Sequence, residues 1–281
     1  MENMSFIKGA YILSGVICCL FLAACNPAEK EDSAGSEKPV AVERKEIPVL
    51  EYSVTASFPH DSMSFTEGLT VYNDQLFEST GSPAGSLFRS VVGPVDLKTG
   101  KISVKAELDQ KYFGEGIVFF KNKMYQLTYT TQVGFMYDAK TFKKVGQFSF
   151  ANKEGWGMTT DGSYIIMSDG TENLSYYDSD FKLIKTLSVK ENGYAQELLN
   201  ELEYINGFIY ANIYTTDDIV KIDPASGEIV AKINMRPLSY SVRNLHPTAL
   251  EMNGIAYDAT NDKIYVTGKA WPVMYEVNFQ H

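Results

Sequence analysis

The stretch FGEGIVFFKNKMY, residues 113–125, sets a pattern that the rest of the chain repeats. An acid, Glu115, stands between two glycines, directly before the apolar run Ile117-Val118-Phe119-Phe120. Glycine permits a tight turn or a close backbone approach, and the β-branched and aromatic residues after it predict a buried strand. The polar residues that follow predict a turn into a second strand. Glu115 is therefore expected at the mouth of a strand.

Four other segments share this order of a small or acidic residue, a strand, a polar turn and a second strand. Together with residues 116–125, they are residues 68–77, 157–166, 201–210 and 254–265. The five segments begin 48, 41, 44 and 53 residues apart. A period in that range, made of strands and turns, predicts the blades of a β-propeller. Later in the repeats an acid ends a strand before a turn, and these acids are expected to be structural; they are Asp96, Asp138, Asp178 and Asp223.

The fifth unit ends one strand short, at residues 274–279, and an unmatched strand, residues 49–58, precedes the first unit. That strand alternates with the right period to complete the last blade, which removes two exposed sheet edges. The sequence thus predicts an all-β fold, a five-bladed β-propeller whose ring is closed by the N-terminal strand completing the last blade. A β-sandwich is the alternative, although a sandwich does not need repeats of blade length.

The first 25 residues have the features of a bacterial lipoprotein signal peptide. Lys8 precedes an apolar run over residues 10–22, and Leu22-Ala23-Ala24-Cys25 ends it. The pattern predicts cleavage and lipidation at Cys25, and an ordinary N-terminal anchor helix is the alternative. Residues 26–46 have almost no large apolar side chain, which predicts a flexible tether.

The expected organisation is therefore a signal peptide over 1–25, a tether over 26–46 and a propeller domain over 47–281. A lipid on Cys25 would anchor the protein to the membrane of a bacterial cell envelope, with the domain on the periplasmic or the outer side.

The composition of the chain argues against several kinds of partner and of catalytic site. A formal net charge of -10 argues against a nucleic-acid partner, because phosphate binding needs clustered Lys and Arg. After cleavage one cysteine remains, which leaves no disulfide to form and no thiol for catalysis or a metal site. His60, His246 and His281 lack the spacing of metal ligands, and no nucleophile elbow is present. Carboxylates, amides, a lysine and aromatics remain, and they suit proton transfer without a metal or a covalent intermediate.

If the repeated positions open the innermost strands, their side chains converge at one end of the central channel. The converging residues are then Glu67, Glu115, Trp156, Asn200 or Glu201, and Lys269. From the residues alone, Glu67 and Glu115 could equally hydrogen-bond backbone amides at blade corners. The pairs Asn206-Gly207 and Asn253-Gly254 are interpreted as turn or corner residues only.

Six motifs, in order, resemble the plant and bacterial type of glutaminyl-peptide cyclotransferase over about residues 52–277. They are Phe65-Thr66-Glu67-Gly68-Leu69, Phe113-Gly114-Glu115-Gly116, Glu154-Gly155-Trp156-Gly157, the run LNELEYING over residues 199–207, Asn253-Gly254-Ile255-Ala256-Tyr257 and Val266-Thr267-Gly268-Lys269-Ala270-Trp271-Pro272. The resemblance implies a five-bladed propeller that converts the N-terminal glutamine of a peptide or protein to pyroglutamate and releases ammonia, an acyltransferase of the aminoacyl type.

Taken residue by residue, the resemblance implies that Glu115 is the catalytic acid. The substrate-binding residues that it implies are Glu67, Trp156, Asn200, Lys269, Phe65, Phe113, Tyr129 and Tyr214. Tyr129 and Tyr214 stand where plant members have tryptophan, and Glu67 where they have glutamine; these departures bear on substrate preference and efficiency.

In the reaction that we expect, Glu115 takes the proton of the substrate amine and gives it to the leaving nitrogen. Asn200 or Lys269 stabilises the oxyanion, and Glu67 holds the amine. No cofactor is expected for catalysis. The presence of a structural divalent ion in the central channel is left open.

Two functions of other classes also stay open. One is a non-catalytic propeller lipoprotein that binds peptides or glycans. The other is a calcium-dependent, lactonase-like propeller, whose ligands would be Glu67, Glu115, Asn200 and Glu203. Lys269 would oppose a cation at that place.

Overall fold

The structure, a computed structural model, describes residues 46–281. The predicted signal peptide, the lipidation site Cys25 and all of the predicted tether except Glu46 lie outside the described residues. Within the described part the framework is β-structure, with a single α-helix. No helix in residues 46–281 has the length and apolar character that crossing a membrane requires.

Twenty-three strands and one helix follow one another along residues 46–281, beginning with β1 (Tyr52–Pro59). The first blade contains β2 (Thr66–Tyr72), β3 (Gln75–Thr80), β4 (Val91–Asp96), β5 (Lys101–Ile102) and β6 (Ala106–Glu107), and the second β7 (Gly114–Phe120), β8 (Lys123–Thr128), β9 (Val133–Asp138) and β10 (Lys144–Ser149). The third contains β11 (Met158–Thr160), β12 (Ile165–Met167), β13 (Asn173–Tyr177) and β14 (Leu183–Ser188), and a hairpin of β15 (Lys190–Glu191) and β16 (Tyr194–Ala195) follows. The fourth contains β17 (Leu199–Ile205), β18 (Phe208–Ile213), β19 (Asp218–Ile222) and β20 (Ile229–Asn234). After the helix α1 (Arg236–Leu245) come β21 (Met252–Asp258), β22 (Lys263–Gly268) and β23 (Val273–Phe279).

Apart from the separate hairpin of β15 and β16, these strands form five antiparallel sheets, one for each predicted blade. Their orders are β2-β3-β4-β5 with β6 beside β4, then β10-β9-β8-β7, β11-β12-β13-β14, β17-β18-β19-β20 and β1-β23-β22-β21. The innermost strands β2, β7, β11, β17 and β21 lie side by side, and β21 lies beside β2. The predicted five-bladed β-propeller is therefore confirmed.

The strand expected at residues 49–58 is observed as β1, which pairs antiparallel with β23 from Tyr52 to Pro59. Val49 departs from this strand and forms a parallel bridge with Lys232 of the fourth blade.

Apolar side chains are buried between neighbouring blades. In the described part, each of the five blade junctions encloses one cluster. Phe77 and Phe119, for example, pack between the first and second blades. Burial at every junction holds the ring together, since each blade covers the apolar face of the next.

The short connections follow the turn chemistry of the sequence. Asn206 and Gly207 both have positive φ, at 47° and 91°, as two-residue hairpin turns require. Asp96, Asp138 and Asp223 accept hydrogen bonds from amides of their own turns, so they are structural as predicted.

The helix α1 was not expected, and it accounts for part of the long interval between the fourth and fifth repeats. Arg243 of α1 forms an ion pair at 2.8 Å with Asp217 in the preceding blade.

Bulges recur near the start of the innermost strands. The pairing register shifts between Thr66 and Gly68, Gly114 and Ile117, Leu199 and Leu202, and Met252 and Ile255. A bulge leaves a residue outside the ladder and redirects its side chain. The residues at these shifts include Glu67, Glu115, Asn200 and Asn253.

The glycine after Glu115 has a packing reason. The amide of Gly116 donates to the carbonyl oxygen of Trp156 on the next blade at 2.8 Å, and a Cβ on Gly116 would lie 2.6 Å from that oxygen. A Cβ on Gly157 would likewise lie 2.3 Å from the carbonyl oxygen of Asn200. The repeated glycine thus lets neighbouring innermost strands touch at one level of the channel, beside the side chains that the bulges redirect.

Candidate active site

A cavity of about 160 Å³ opens at the level of the bulges. All nine pocket residues expected from the sequence line it, and we call this cavity the pocket. They are Phe65, Glu67, Phe113, Glu115, Tyr129, Trp156, Asn200, Tyr214 and Lys269. Four of the five blades supply at least one of these residues from an innermost strand or the segment just before it, and the fifth supplies Lys269.

Glu115 lies on β7 and is 5% exposed. Its backbone is fixed, because Ser79 Oγ donates to its carbonyl oxygen at 2.6 Å. No hydrogen bond to its carboxyl group is present within residues 46–281. Burial, together with the negative charge of Glu67, raises the pKa of Glu115 well above its usual value, against the opposing effect of Lys269. The pocket therefore contains one carboxyl group that is buried and free to act on a ligand.

Glu67 lies on β2 and is engaged by two side chains. Lys269 Nζ donates to its Oε1 at 2.8 Å, and Asn253 Nδ2 donates to its Oε2 at 3.2 Å. Burial raises the pKa of Glu67 to about 7, although Lys269 works in the other direction. Burial lowers the pKa of Lys269, but the charges of Glu67 and Glu115 outweigh it, so that the net shift is upward. Lys269 is thus a buried, charged ammonium group.

Asn253 corrects one interpretation made from the sequence. Its pair with Gly254 was interpreted as turn or corner chemistry only, and this was wrong, because Asn253 lies inside β21 and is 1% exposed. It also donates to the carbonyl oxygen of Thr66 at 3.0 Å. The signal was available: Asn253 precedes the glycine of the fifth repeat, just as Glu67 and Glu115 precede theirs.

Aromatic rings form the walls of the pocket. Phe65 meets Phe113 edge-on, with centroids 5.9 Å apart, and Phe113 lies 5.8 Å from Tyr129. On the other side, Trp156 meets Tyr214 at 5.4 Å. Lys269 Nζ lies 4.8 Å from the centroid of Phe65, so the ring face stabilises the ammonium charge. The aromatic walls lower the local dielectric constant, which strengthens the electrostatic interactions inside.

Glu154 is a residue that the sequence reasoning passed over. Its Oε2 accepts a hydrogen bond from Trp156 Nε1 at 2.9 Å. It also acts on the hydroxyl of Tyr129, whose pKa is raised by burial and then by the charge of Glu154. Glu154 therefore interacts with residues on two walls of the pocket. It stands two residues before Trp156, out of step with the acids of the other repeats, and only Trp156 was considered there.

The sequence left Asn200 and Glu201 as alternatives, and the structure separates them. Asn200 lines the pocket. Glu201 accepts the amides of Leu69 at 3.1 Å and Ile255 at 2.8 Å, on two other blades. Glu203 accepts the amide of Tyr257 at 2.8 Å, and burial raises its pKa to about 8. In residues 46–281, no group of three or more His, Cys, Asp or Glu is arranged to hold a metal ion.

The chain is similar to known proteins over most of its length. Residues 19–279 match the family described as glutamine cyclotransferase. The glutaminyl-peptide cyclotransferase of Arabidopsis thaliana is 38% identical over 235 residues, which covers 83% of this chain and 72% of that protein. The crystal structure of Myxococcus xanthus glutaminyl cyclase is similar with a TM-score of 0.76 and 31% identity, covering 84% of this chain and 99% of that one.

Proposed function

The chain belongs to the glutamine cyclotransferase family and is an enzyme of the glutaminyl-peptide cyclotransferase type; from this premise we propose that Glu115 carries the proton of the reaction inside the pocket. The observation that supports this most is the state of its carboxyl group, which is buried, faces a cavity and has no hydrogen-bond partner among residues 46–281. A general acid or base needs such freedom, because its proton must pass to the substrate.

The pocket suits an N-terminal glutamine in size and charge. Its volume of about 160 Å³ is close to that of cavities which hold a benzene-sized group, and a five-membered lactam is of that order. Two carboxylates and one ammonium group, those of Glu67, Glu115 and Lys269, leave one negative charge unbalanced when both acids are ionised. The α-ammonium group of the substrate supplies the missing positive charge. Neutralisation favours binding, since unpaired charge is costly in a buried site.

In the first step, the ionised carboxyl of Glu115 accepts a proton from the substrate ammonium. The α-amine has a reference pKa of about 7.7 to 8.0. Burial raises the pKa of Glu115 well above its usual value, which makes its carboxylate a better acceptor for the amine proton than an exposed carboxylate. The neutral amine then attacks the γ-carbonyl carbon, which forms the ring C–N bond and moves an electron pair onto the carbonyl oxygen.

In the second step, Glu115 gives its proton to the amide nitrogen. The carbonyl reforms, the exocyclic C–N bond breaks and ammonia departs. The extra proton on the ring nitrogen returns to Glu115 and finally leaves with ammonia as ammonium. Ring closure is intramolecular, so the pocket needs only to hold the glutamine side chain folded over its own amine.

Asn200 and Lys269 are the donors that we assign to the oxyanion. Both line the pocket, and a positioned donor is typically worth about 2.7 to 4 kcal/mol in such a step. The sequence suggested that Glu67 holds the substrate amine. Its two oxygens are engaged by Lys269 and Asn253, and we assign it first to fixing Lys269, while its charge attracts the ammonium group.

The contacts weigh against the two alternatives. A calcium site built from Glu67, Glu115, Asn200 and Glu203 would need Glu67 to release Lys269 and Glu203 to release the amide of Tyr257. The buried ammonium of Lys269 also repels a cation. Family membership weighs against a propeller that only binds, because the matching family and the Arabidopsis relative are both described as cyclotransferases. We propose that turnover needs no metal ion.

We also propose that Cys25 is lipidated and anchors the domain to the bacterial cell envelope. The signal-like pattern of residues 1–25 supports this. Cys25→Ser should move the protein from the membrane fraction to the soluble fraction and abolish labelling by a radioactive fatty acid. Retention of the label in that variant would contradict the proposal.

Ammonia release tests the function. The domain from residue 47 is incubated with a Gln-initiated peptide and a chelator, and a matched peptide with an acetylated N-terminus serves as control because its amine cannot attack. We expect ammonia from the free peptide alone, at the same rate with and without chelator. Absence of ammonia from the free peptide would contradict the proposed function. Loss of activity on addition of the chelator would contradict the metal-free mechanism.

A further inference from the structure

One loop on the pocket side of the propeller is longer than its counterparts. In each blade this loop joins the second strand to the third. It has four or five residues in four blades, over 129–132, 168–172, 214–217 and 269–272, and ten residues, 81–90, in the first blade. Three of the short loops supply pocket residues, namely Tyr129, Tyr214 and Lys269. The long loop lies beside the pocket, since its Phe88 packs on the pocket residue Phe65.

A second cavity lies against this loop, and we call it the loop cleft. It has a volume of about 260 Å³. Its lining contains the polar or charged residues Asp61, Ser64, Thr80, Arg89 and Lys101 together with apolar residues, among them Met63, Leu87 and Val104. These three apolar side chains are 49%, 86% and 44% exposed. Three large apolar groups exposed in one cleft are unusual on a soluble surface, where such groups are normally scattered singly.

The charged groups of the loop cleft are already paired. Lys101 Nζ contacts Asp61 Oδ2 at 2.8 Å, and Arg89 pairs with Glu107 outside the cleft. Beside these paired charges the cleft presents the apolar side chains of Met63, Leu87 and Val104, and these favour an apolar side chain as occupant.

The loop cleft adjoins the pocket through two rings. Ser64 lines the cleft and the next residue, Phe65, lines the pocket. On the loop, Leu87 lines the cleft and the next residue, Phe88, packs on Phe65 with centroids 5.3 Å apart. A chain that leaves the pocket on this side crosses these two rings and then reaches the cleft.

We propose that the loop cleft binds an apolar side chain of the peptide substrate, downstream of its N-terminal glutamine. The inference rests on the proposed function, which puts the glutamine in the pocket. The pocket has room for little more than that residue, so the rest of the peptide lies on the outer surface. An extended chain advances about 3.4 Å per residue, and two ring widths are roughly 10 Å, so the third and fourth residues reach the cleft.

The test compares kcat/KM for three substrates: Gln-Ala-Leu-Leu amide, Gln-Ala-Ser-Ser amide and Gln-Ala amide, which is too short to reach the cleft. For the wild type we expect the leucine peptide to be better than the other two by about tenfold, a typical value for apolar side-chain discrimination. In the double variant Met63→Ser, Leu87→Ser we expect the three substrates to be equal at the wild-type rate for Gln-Ala amide.

Leu183→Ser is the matched control, since Leu183 is 50% exposed on the outer strand β14 of the third blade. It should keep the full preference, and melting curves should show that all variants are folded. Equal kcat/KM for the three substrates in the wild type would overturn the inference, as would a preference that survives in the double variant. Failure of the proposed function is a different result, because it silences all three substrates, including Gln-Ala amide.

Discussion

Two pairs of buried carboxyl groups share the central channel, and they are held in different ways. Glu67 and Glu115 line the pocket, whereas Glu201 and Glu203 lie further along β17. Burial raises the pKa of all four. Glu201 and Glu203 accept backbone amides of neighbouring blades, while Glu115 has no hydrogen bond to its carboxyl group among residues 46–281. Burial and a raised pKa therefore do not distinguish these four acids, and our proposal for Glu115 rests on its free hydrogen-bonding capacity beside a cavity.

The difference follows from the geometry of a propeller. An innermost strand has a partner on one side only, so some amides on its other edge need an acceptor. Glu201 fills this need for Leu69 and Ile255, and so connects the fourth blade with the first and the fifth. Glu201 and Glu203 thus mainly hold the blades of the ring together, whereas Glu67 and Glu115 line the pocket.

Apart from a change of Glu115 itself, we expect the largest effect from Lys269→Met. The variant removes the pocket cation and leaves Glu67 buried without its ion pair. We expect kcat to fall by about 100-fold, the size of a lost oxyanion donor. Steady-state ammonia release measures it. A loss confined to KM would instead assign Lys269 to substrate binding alone.

Glu201→Ala should lower the free energy of unfolding. The expected amount is similar to the change in activation free energy for Lys269→Met. The change leaves the amides of Leu69 and Ile255 unpaired, and each unpaired buried group costs about 1 to 3 kcal/mol. Part of this is offset because a buried acid is removed, and we expect a net loss of about 2 to 3 kcal/mol. Denaturant unfolding measures it. The kcat of the folded fraction should stay within about twofold of wild type, and a larger loss of kcat at unchanged stability would contradict the division of roles.

A smaller effect concerns the pH dependence of kcat/KM. The negative charge of Glu154 raises the pKa of Glu115, after burial and the charges of Glu67 and Lys269 have acted. The free enzyme needs Glu115 ionised, so activity is lost as pH falls through that pKa. Glu154→Gln should lower the pKa and move the acid limb to lower pH, while the alkaline limb, set by the substrate amine, stays in place. An acid limb that does not move, or moves to higher pH, would show that another group titrates there.

A further effect is a pH dependence of stability at Glu203. Its pKa is about 8 in the folded protein and 4.5 in the absence of the fold. Between these values the folded state binds more protons than the unfolded state, so this group makes the protein less stable as pH rises towards 8. Glu203→Gln removes the contribution, and its Tm should fall less than that of wild type between about pH 6 and pH 9. Parallel Tm curves would mean that Glu203 does not titrate in this range.

The sequence was sufficient for the blades and for most of the pocket. The order of strand, polar turn and strand recurs five times, and four of the five repeats start with a glycine. The glycine is needed where innermost strands touch, as at Gly116. That local requirement produces a repeated sequence pattern. Together with the family resemblance, this pattern is enough to predict all nine residues that line the pocket.

Contacts between distant segments of the chain produce no such sequence pattern. Glu201 reaches Leu69 across 132 positions of the chain, and nothing local distinguishes it from Glu67. Asn253 was mistaken for a turn residue because Asn-Gly is a common turn pair. Gly254 does have a positive φ of 121°, but within β21. Glu154 acts through ring atoms of Trp156 and Tyr129, which only the folded chain brings together.

The most direct test of the account is single-turnover ammonia release by Glu115→Gln, with enzyme in excess over a Gln-initiated peptide and the Tm measured on the same sample. We predict a rate lower than wild type by about a thousandfold, within the range for a lost general acid or base, at a Tm equal to or above that of wild type. Turnover within about tenfold of wild type would contradict the claim that Glu115 carries the proton.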